Sequence, residues 1–211
     1  MTLSRLVLWR HGETEWNADH RMQGQLDPDL SEIGIEQARR ATPIIAGFVP
    51  QVLLTSDLRR ASNTAAVLAE RTALPVQTDK RLRETHLGEW QGLTNVDVDA
   101  RWPGSRAAWR GDASWAPPGG ETRIEVAGRA RQVVTELDSR HEVKVAVLCA
   151  HGGLISSLVA CLLGLPVDRW PALSGIGNCH WAVLDRPPPL EYRSASVLSW
   201  RLASYNAGIP G

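Results

Sequence analysis

Short apolar runs that end in glycine-containing or polar turns alternate along this chain with longer stretches whose apolar positions recur every three or four residues. Leu6-Val7-Leu8-Trp9, Val52-Leu53-Leu54-Thr55 and residues 143–149 are of the first kind. Each is short and ends at a turn, which predicts a buried strand. A further short strand is expected at Pro75-Val76-Gln77. Ser31 is placed to cap a helix over residues 32–47, with Ile33, Gln37, Ile44 and Ile45 spaced around it. Asp57 is expected to open a second helix through Arg71. Ile124, Ala127, Val134 and Leu137 form a helical stripe that runs to Arg140. The turn Ala150-His151-Gly152-Gly153 leads into another helix ending near Leu163. After Gly177 the pattern alternates as antiparallel strands do, at residues 180–184 and 196–202, on either side of Pro187-Pro188-Pro189. Strands that alternate with helices predict an α/β chain: a three-layer α/β/α sandwich around a mixed, mostly parallel sheet.

Two stretches do not fit that alternation. Residues 10–30 are polar and glycine-containing and read as a long functional loop. Residues 81–121 are irregular, rich in Gly and Pro, with one short helix expected at residues 95–101. About 86–120 reads as an insertion packed on the main body near the active site. No internal repeat or linker interrupts the pattern, so residues 1–211 are expected to form one domain.

Composition narrows the function. Lys+Arg and Asp+Glu both number 23, giving a formal net charge of zero. That balance argues against nucleic acid or a membrane as partner, because both call for a basic excess. No run is long enough for a membrane span, and the N-terminal apolar run is too short for a signal peptide. Cys149, Cys161 and Cys179 are odd in number, form no C-x-x-C pair and lie among apolar neighbours, which predicts reduced thiols and a cytoplasmic location. Nine tryptophans accompany a single phenylalanine. Trp102, Trp109 and Trp115 fall in the irregular stretch, where they either pack the insertion down or stack on a sugar face.

Two of the expected strands end in the same punctuation. Leu8-Trp9 runs into Arg10-His11-Gly12, and Leu148-Cys149-Ala150 into His151-Gly152-Gly153. In a parallel sheet the carboxyl ends of strands line the ligand crevice, so both histidines are expected to meet there. The strand at 52–55 leads to Ser56-Asp57-Leu58-Arg59-Arg60, where an arginine at a helix start is placed to grip an anion. Glu84 lies in the loop that follows Arg81-Leu82-Arg83. No carboxylate cluster has metal-binding spacing, so neither metal nor cofactor is expected.

R-H-G-E-T-E-W-N, L-S-x-x-G-x-x-Q-A (Leu30 to Ala38), S-D-L-R-R-A, L-R-E-T-x-x-G-x-W-x-G and A-H-G-G occur here in the order seen in the histidine phosphatase superfamily. The chain resembles that superfamily, which includes cofactor-dependent phosphoglycerate mutases and many small-molecule phosphatases. The one departure is Asp57, where the third motif usually has proline. The stretches Arg21 to Asp27, Arg81 to Thr94, Trp115 to Thr122 and Arg169 to Asn178 tighten the match to the branch that dephosphorylates glucosyl-3-phosphoglycerate. The resemblance implies a phosphoglycerate mutase-like fold, a homodimer and a small phosphorylated substrate. It implies His11 as a nucleophile that becomes a phosphohistidine. Arg10, Arg60 and His151 would surround the phosphoryl oxygens. Glu84 would protonate the leaving alkoxide and then activate water. Asn17, Gln23, Gly24 and Gly152 would complete the phosphate cradle, with Glu121 beside it.

Two other readings belong to the same catalytic class: a broad-specificity sugar-phosphate phosphatase, and a phosphoglycerate mutase. In mutases the acid-bearing loop usually reads E-R-x-x-G, whereas this chain has Glu84-Thr85-His86-Leu87-Gly88, which favours a phosphatase. His86 is a weaker candidate for substrate contact. His20, His141 and His180 have no partners in sequence and read as incidental. The arginines at 101, 106, 110, 123, 129 and 131 read mainly as solvated surface, with one free to hold a substrate carboxylate.

Overall fold

A computed structural model describes residues 3–140, 142–186 and 200–209. Strands β1 (Arg5–Arg10), β2 (Val52–Thr55), β3 (Val76–Thr78), β4 (Val145–Ala150), β5 (Trp181–Asp185) and β6 (Arg201–Ala207) form one sheet in the order β3-β2-β4-β1-β5-β6. The first four in that order run parallel, while β5 and β6 are antiparallel additions. Among the described residues seven α-helices accompany them: α1 (Glu15–Ala18), α2 (Glu32–Ala46), α3 (Arg59–Thr72), α4 (Asn95–Arg101), α5 (Ser105–Gly111), α6 (Arg123–Asp138) and α7 (Gly152–Leu162). Among the described residues no helix is long and apolar enough to cross a membrane.

The central strands are apolar on both faces because both faces are covered. Leu6 and Leu8 of β1 pack with Val126, Val133 and Leu137 of α6 and Leu154 and Leu158 of α7. Val7 and Trp9, pointing the other way, pack with Ala38, Ala41 and Ile45 of α2 and Ala61, Ala65 and Leu68 of α3. These are the three layers expected from the sequence. The small residues on α2 and α3 let those helices lie close to the sheet and to each other. Ser31 caps α2 by accepting from Gly34 N at 3.1 Å. Thr122 and Glu125 form a reciprocal cap on α6, which gives acceptors to two orphan N–H donors at the helix start.

Several boundaries differ from the sequence reading. The stretch 10–30 contains α1, held by a Thr14–Asn17 capping box. Helix α3 starts at Arg59 rather than Asp57, because the Asp57 carboxylate is taken by Arg83 at 2.7 and 2.6 Å. Helix α5 was not anticipated; it buries no residue fully, so it carries no apolar stripe. The last strand extends to Ala207, while residues 196–199, Pro187 to Pro189 and His141 lie outside the described residues.

The insertion encloses an apolar cluster of its own. Trp90 is fully buried and is surrounded by Trp102, Trp109 and Trp115, with ring centroids 6.4, 5.9 and 5.5 Å away. A bridge between Arg21 and Thr94 joins this unit to the loop after α1.

Candidate active site

The parallel register pairs Arg10 with Ala150, so the two histidines that follow these residues leave adjacent strand ends side by side. Their ring centroids are 5.1 Å apart. The turn after β1 is fastened at almost every polar backbone atom. His11 N donates to Ala150 O at 3.0 Å, and Cys179 N donates to His11 O at 3.1 Å. Gly12 N donates to Thr64 Oγ1 at 3.0 Å, and Glu13 N to Gln37 Oε1 at 2.9 Å. Position 12 must be glycine for a steric reason: a Cβ there would lie 2.3 Å from Gly34 O.

His11 Nδ1 lies 2.6 Å from Gly12 O. A carbonyl oxygen only accepts, so Nδ1 carries the proton and Nε2 keeps its lone pair. Burial, reinforced by the Arg60 and Arg10 cations, holds the His11 pKa well below its ordinary 6.5. His151 is also fully buried and is shifted the same way, by burial first and then by Arg60, His11 and Arg10. Both of its ring nitrogens lack a hydrogen-bond partner.

The two arginines are held from behind by backbone carbonyls. Arg60 donates to Leu26 O and Gly24 O, both at 2.7 Å. Arg10 donates to Ile176 O at 2.6 Å. The Nε of each is buried without a partner. Burial brings the Arg60 pKa down to about 10, which still leaves it a cation at neutral pH. The region is therefore rich in unused donors and positive charge, and such an environment favours an anion.

These groups face a cavity of about 200 Å³. Arg10, His11, Asn17, Gln23, Gly24, Arg60 and Glu84 line it, so the sequence-nominated residues largely converge there. Asn17 Oδ1 accepts from Thr14 N at 3.1 Å and from Asn178 Nδ2 at 3.2 Å. Those bonds turn its amide nitrogen away from the turn. Gln23 donates to Thr14 Oγ1 at 2.9 Å. His151 sits behind the lining, against His11. A Cβ at Gly152 would lie 3.5 Å from Arg10 Nε, and its neighbour Gly153 lines the cavity instead.

Glu84 reaches the cavity from the loop after β3. Its carboxylate accepts from Gly153 N and Leu154 N, both at 3.0 Å, and from Thr85 N at 2.8 Å. The first two are free donors of the first turn of α7, so a carboxylate is well placed there. Arg129 of α6 fixes the loop. Its guanidinium donates to Arg81 O, Arg83 O and Glu84 O at 2.7, 2.6 and 2.9 Å, and to both oxygens of Glu121 at 2.9 and 3.0 Å. All five donors of the fork are thereby used.

Glu121 also accepts from His86 N at 2.8 Å, so its carboxylate serves the loop and is not part of the cavity wall. His86 turns its ring to Gly119 O at 3.1 Å and is likewise outside the wall. Sequence reasoning missed Asn178, which supports both His11 O and Asn17, and it read Arg129 as surface. It also missed Arg21, Met22 and Leu87 in the cavity's lining, while Trp109, read as packing or as a stacking face, lies there too.

The comparisons with known proteins agree with this geometry. A family model described as histidine phosphatase superfamily (branch 1) matches residues 6–189. The glucosyl-3-phosphoglycerate phosphatase of Mycolicibacterium vanbaalenii is 50% identical over 98% of this chain and 96% of that protein. A 2,3-bisphosphoglycerate-dependent phosphoglycerate mutase from a Methylobacterium species is 36% identical over 80% of this chain and 85% of that protein. The solved structure of a mycobacterial glucosyl-3-phosphoglycerate phosphatase in complex with VO3 superposes with a TM-score of 0.89 at 50% identity, covering 97% of this chain and all of that one. With the strand-end histidines, the buried arginines and the matched motifs in one place, the chain belongs to the histidine phosphatase superfamily.

Proposed function

We propose that this protein is a phosphomonoesterase that converts glucosyl-3-phosphoglycerate to glucosylglycerate and phosphate through a phosphohistidine on His11. The observation that carries the chemistry is the Nδ1 bond of His11 to Gly12 O at 2.6 Å. It leaves an unprotonated Nε2 in a cavity lined by Arg10 and Arg60. The substrate reading is supported by relatives of that name at 50% and 49% identity across nearly the whole chain.

In the first step Nε2 of His11 bonds to phosphorus while the bond from phosphorus to the substrate's C3 oxygen breaks. Glu84, as the carboxylic acid, gives that oxygen its proton. Arg10, Arg60 and His151 hold the phosphoryl oxygens as charge spreads over them. Asn17 and Gln23, which also line the cavity, contribute amide donors. In the second step water attacks phosphorus, Glu84 takes its proton, the N–P bond breaks, and phosphate leaves with the imidazole neutral again. This scheme stabilises charge with fixed arginines, and the homodimer implied by the resemblance and the cytoplasmic location read from the cysteines belong to the same reading. The three unpaired thiols support a reducing compartment, and light scattering checks the dimer.

The test is phosphate release from a panel: glucosyl-3-phosphoglycerate, mannosyl-3-phosphoglycerate, 3-phosphoglycerate and several sugar phosphates. The glucosyl compound is expected to lead in kcat/KM. Comparable values across the panel would establish a generalist, and phosphoryl return to a phosphoglycerate would establish a mutase.

A further inference from the structure

Thr85 is buried and lines the cavity next to Glu84, yet its hydroxyl has no part in the two-step scheme. Its backbone N–H is used on Glu84 Oε1 at 2.8 Å, and Leu154 N reaches the same oxygen at 3.0 Å. The hydroxyl adds a third contact to that oxygen, at 3.4 Å. Ordinary O–H···O bonds lie near ~2.7–2.8 Å, so this is a weak bond to an acceptor already supplied. It nevertheless gives the hydroxyl proton a direction. With that proton turned to Glu84, the lone pairs of Oγ1 are left for another partner. Among the described residues no donor reaches them, and a buried acceptor without a donor is unfavourable.

The same opening serves both groups. A Cβ at Gly153, another residue of the cavity wall, would lie 2.6 Å from Glu84 Oε1 and 3.0 Å from Thr85 Oγ1. The carboxylate and the hydroxyl therefore border one space that this glycine keeps clear. The two half-reactions ask different things of that space. In the first, the departing C3 oxygen receives the Glu84 proton and has none of its own to give. In the second, water stands where that oxygen stood and carries two protons. One passes to Glu84 as the water oxygen bonds to phosphorus and the bond from His11 Nε2 to phosphorus breaks. The other stays on the product phosphate, and during attack an acceptor for it keeps the water's lone pair aimed at phosphorus.

We infer that Thr85 Oγ1 is this acceptor, which makes Thr85 a catalytic residue of the hydrolytic half-reaction alone: it touches the attacking water and takes no part in phosphoryl transfer to His11. This deepens the proposed function and rests on its phosphohistidine. Glu84 then removes one proton of the water while Thr85 fixes the direction of the other.

The experiment separates the two half-reactions on radiolabelled p-nitrophenyl phosphate, whose leaving group departs with little acid help. Alkaline quenching preserves the phosphohistidine. In the steady state, phosphate release divided by the phosphoenzyme concentration is the rate constant of hydrolysis, whatever fraction of the enzyme is inactive. The exponential approach to that level, less the hydrolysis constant, gives the rate constant of formation. Thr85→Val keeps the branched shape without the hydroxyl. It is expected to lower hydrolysis roughly tenfold, the loss of one hydrogen bond, with formation within about twofold of wild type. Thr85→Ser, which keeps the hydroxyl, should stay within about threefold on both. Hydrolysis within about twofold of wild type in Thr85→Val would overturn the assignment. So would an equal loss in formation, or an equal loss in Thr85→Ser. Should Thr85→Val not fold, Thr85→Ala, which also lacks the hydroxyl, gives the same comparison. The two readings fail separately: a wild type that never carries phosphate on histidine ends the phosphohistidine reading itself, whereas phosphoenzyme that decays at the wild-type rate in Thr85→Val ends only the role of Thr85.

Discussion

The turns after β1 and β4 are neighbours in the sheet and begin alike, with a histidine followed by glycine, yet their polar surroundings differ. His11 has its ring fixed by a bond to Gly12 O, and its backbone is held by Ala150, Cys179 and Asn178. His151 has no hydrogen-bond partner on either ring nitrogen. A ring with an assigned tautomer offers a lone pair in a known direction, which suits attack on phosphorus. A buried ring with both nitrogens unused is costly in the empty protein and suits a group whose partner arrives with the substrate. Equivalent positions on parallel strands thus carry different chemistry, because only one turn supplies a carbonyl to the imidazole.

The largest expected effect separates these two roles. His11→Ala should lower kcat by roughly four orders of magnitude or more, as loss of a nucleophile does. His151→Ala should cost roughly 10²–10³-fold, the range for removing one donor from a developing anion. Rapid-quench trapping of acid-labile phosphoenzyme checks the distinction: His151→Ala should still form it slowly, whereas His11→Ala should form none. Phosphoenzyme in the His11 variant would reassign the nucleophile.

The next effect tests the glycines of the two turns through stability. A Cβ at Gly12 would meet Gly34 O at 2.3 Å, whereas one at Gly152 meets nothing closer than Arg10 Nε at 3.5 Å. Gly12→Ala should therefore destabilise by about 1–3 kcal/mol or more, and Gly152→Ala should stay within about 0.5 kcal/mol of wild type. Denaturant unfolding of both variants measures this. Equal losses would show that the turns are sterically alike.

The smallest effect concerns protons. Both histidines are held neutral in the folded state, by burial first and the nearby cations second, while in the unfolded chain they titrate near 6.5. Below that pH the unfolded state binds protons that the folded state does not, so stability is present above 6.5 and is lost as pH falls beneath it. The slope should approach about 1.4 kcal/mol per pH unit for each histidine. His151→Asn should remove one histidine's share between pH 6.5 and the acid transition. Urea unfolding against pH provides the measurement, and an unchanged slope would mean that His151 is charged in the fold.

How much of this was legible beforehand depended on whether a feature left a local trace. The buried strands were readable because both faces are covered, so Val7 and Leu8 are alike apolar. Helices α2, α3, α6 and α7 were readable from their apolar positions, helped at α2 by the Ser31 cap. Helices α1 and α5 bury no residue fully, so periodicity was silent, although the Thr14–Asn17 box was a usable signal. At the site, His11, Arg10, Arg60, Glu84 and His151 were found because each sits in a motif at an element boundary. The role of Arg129 was hidden because three of its acceptors are backbone carbonyls 45 to 48 residues away. Backbone acceptors have no sequence signature. Glu121 illustrates the reverse: its motif was visible, but its partners, Arg129 and the His86 N–H, were not.

That five-donor contact of Arg129 has a consequence for engineering. The loop carrying Glu84 and the tryptophan-rich insertion looks like a cassette, since it begins and ends in turns. Its alignment, however, is set by position 129, which lies beyond it in the chain. Recombining acid loops between members of the superfamily should succeed when residues 81 to 129 travel as one block. If the crossover falls at the end of the insertion, the new loop would arrive without the anchor that orients its acid.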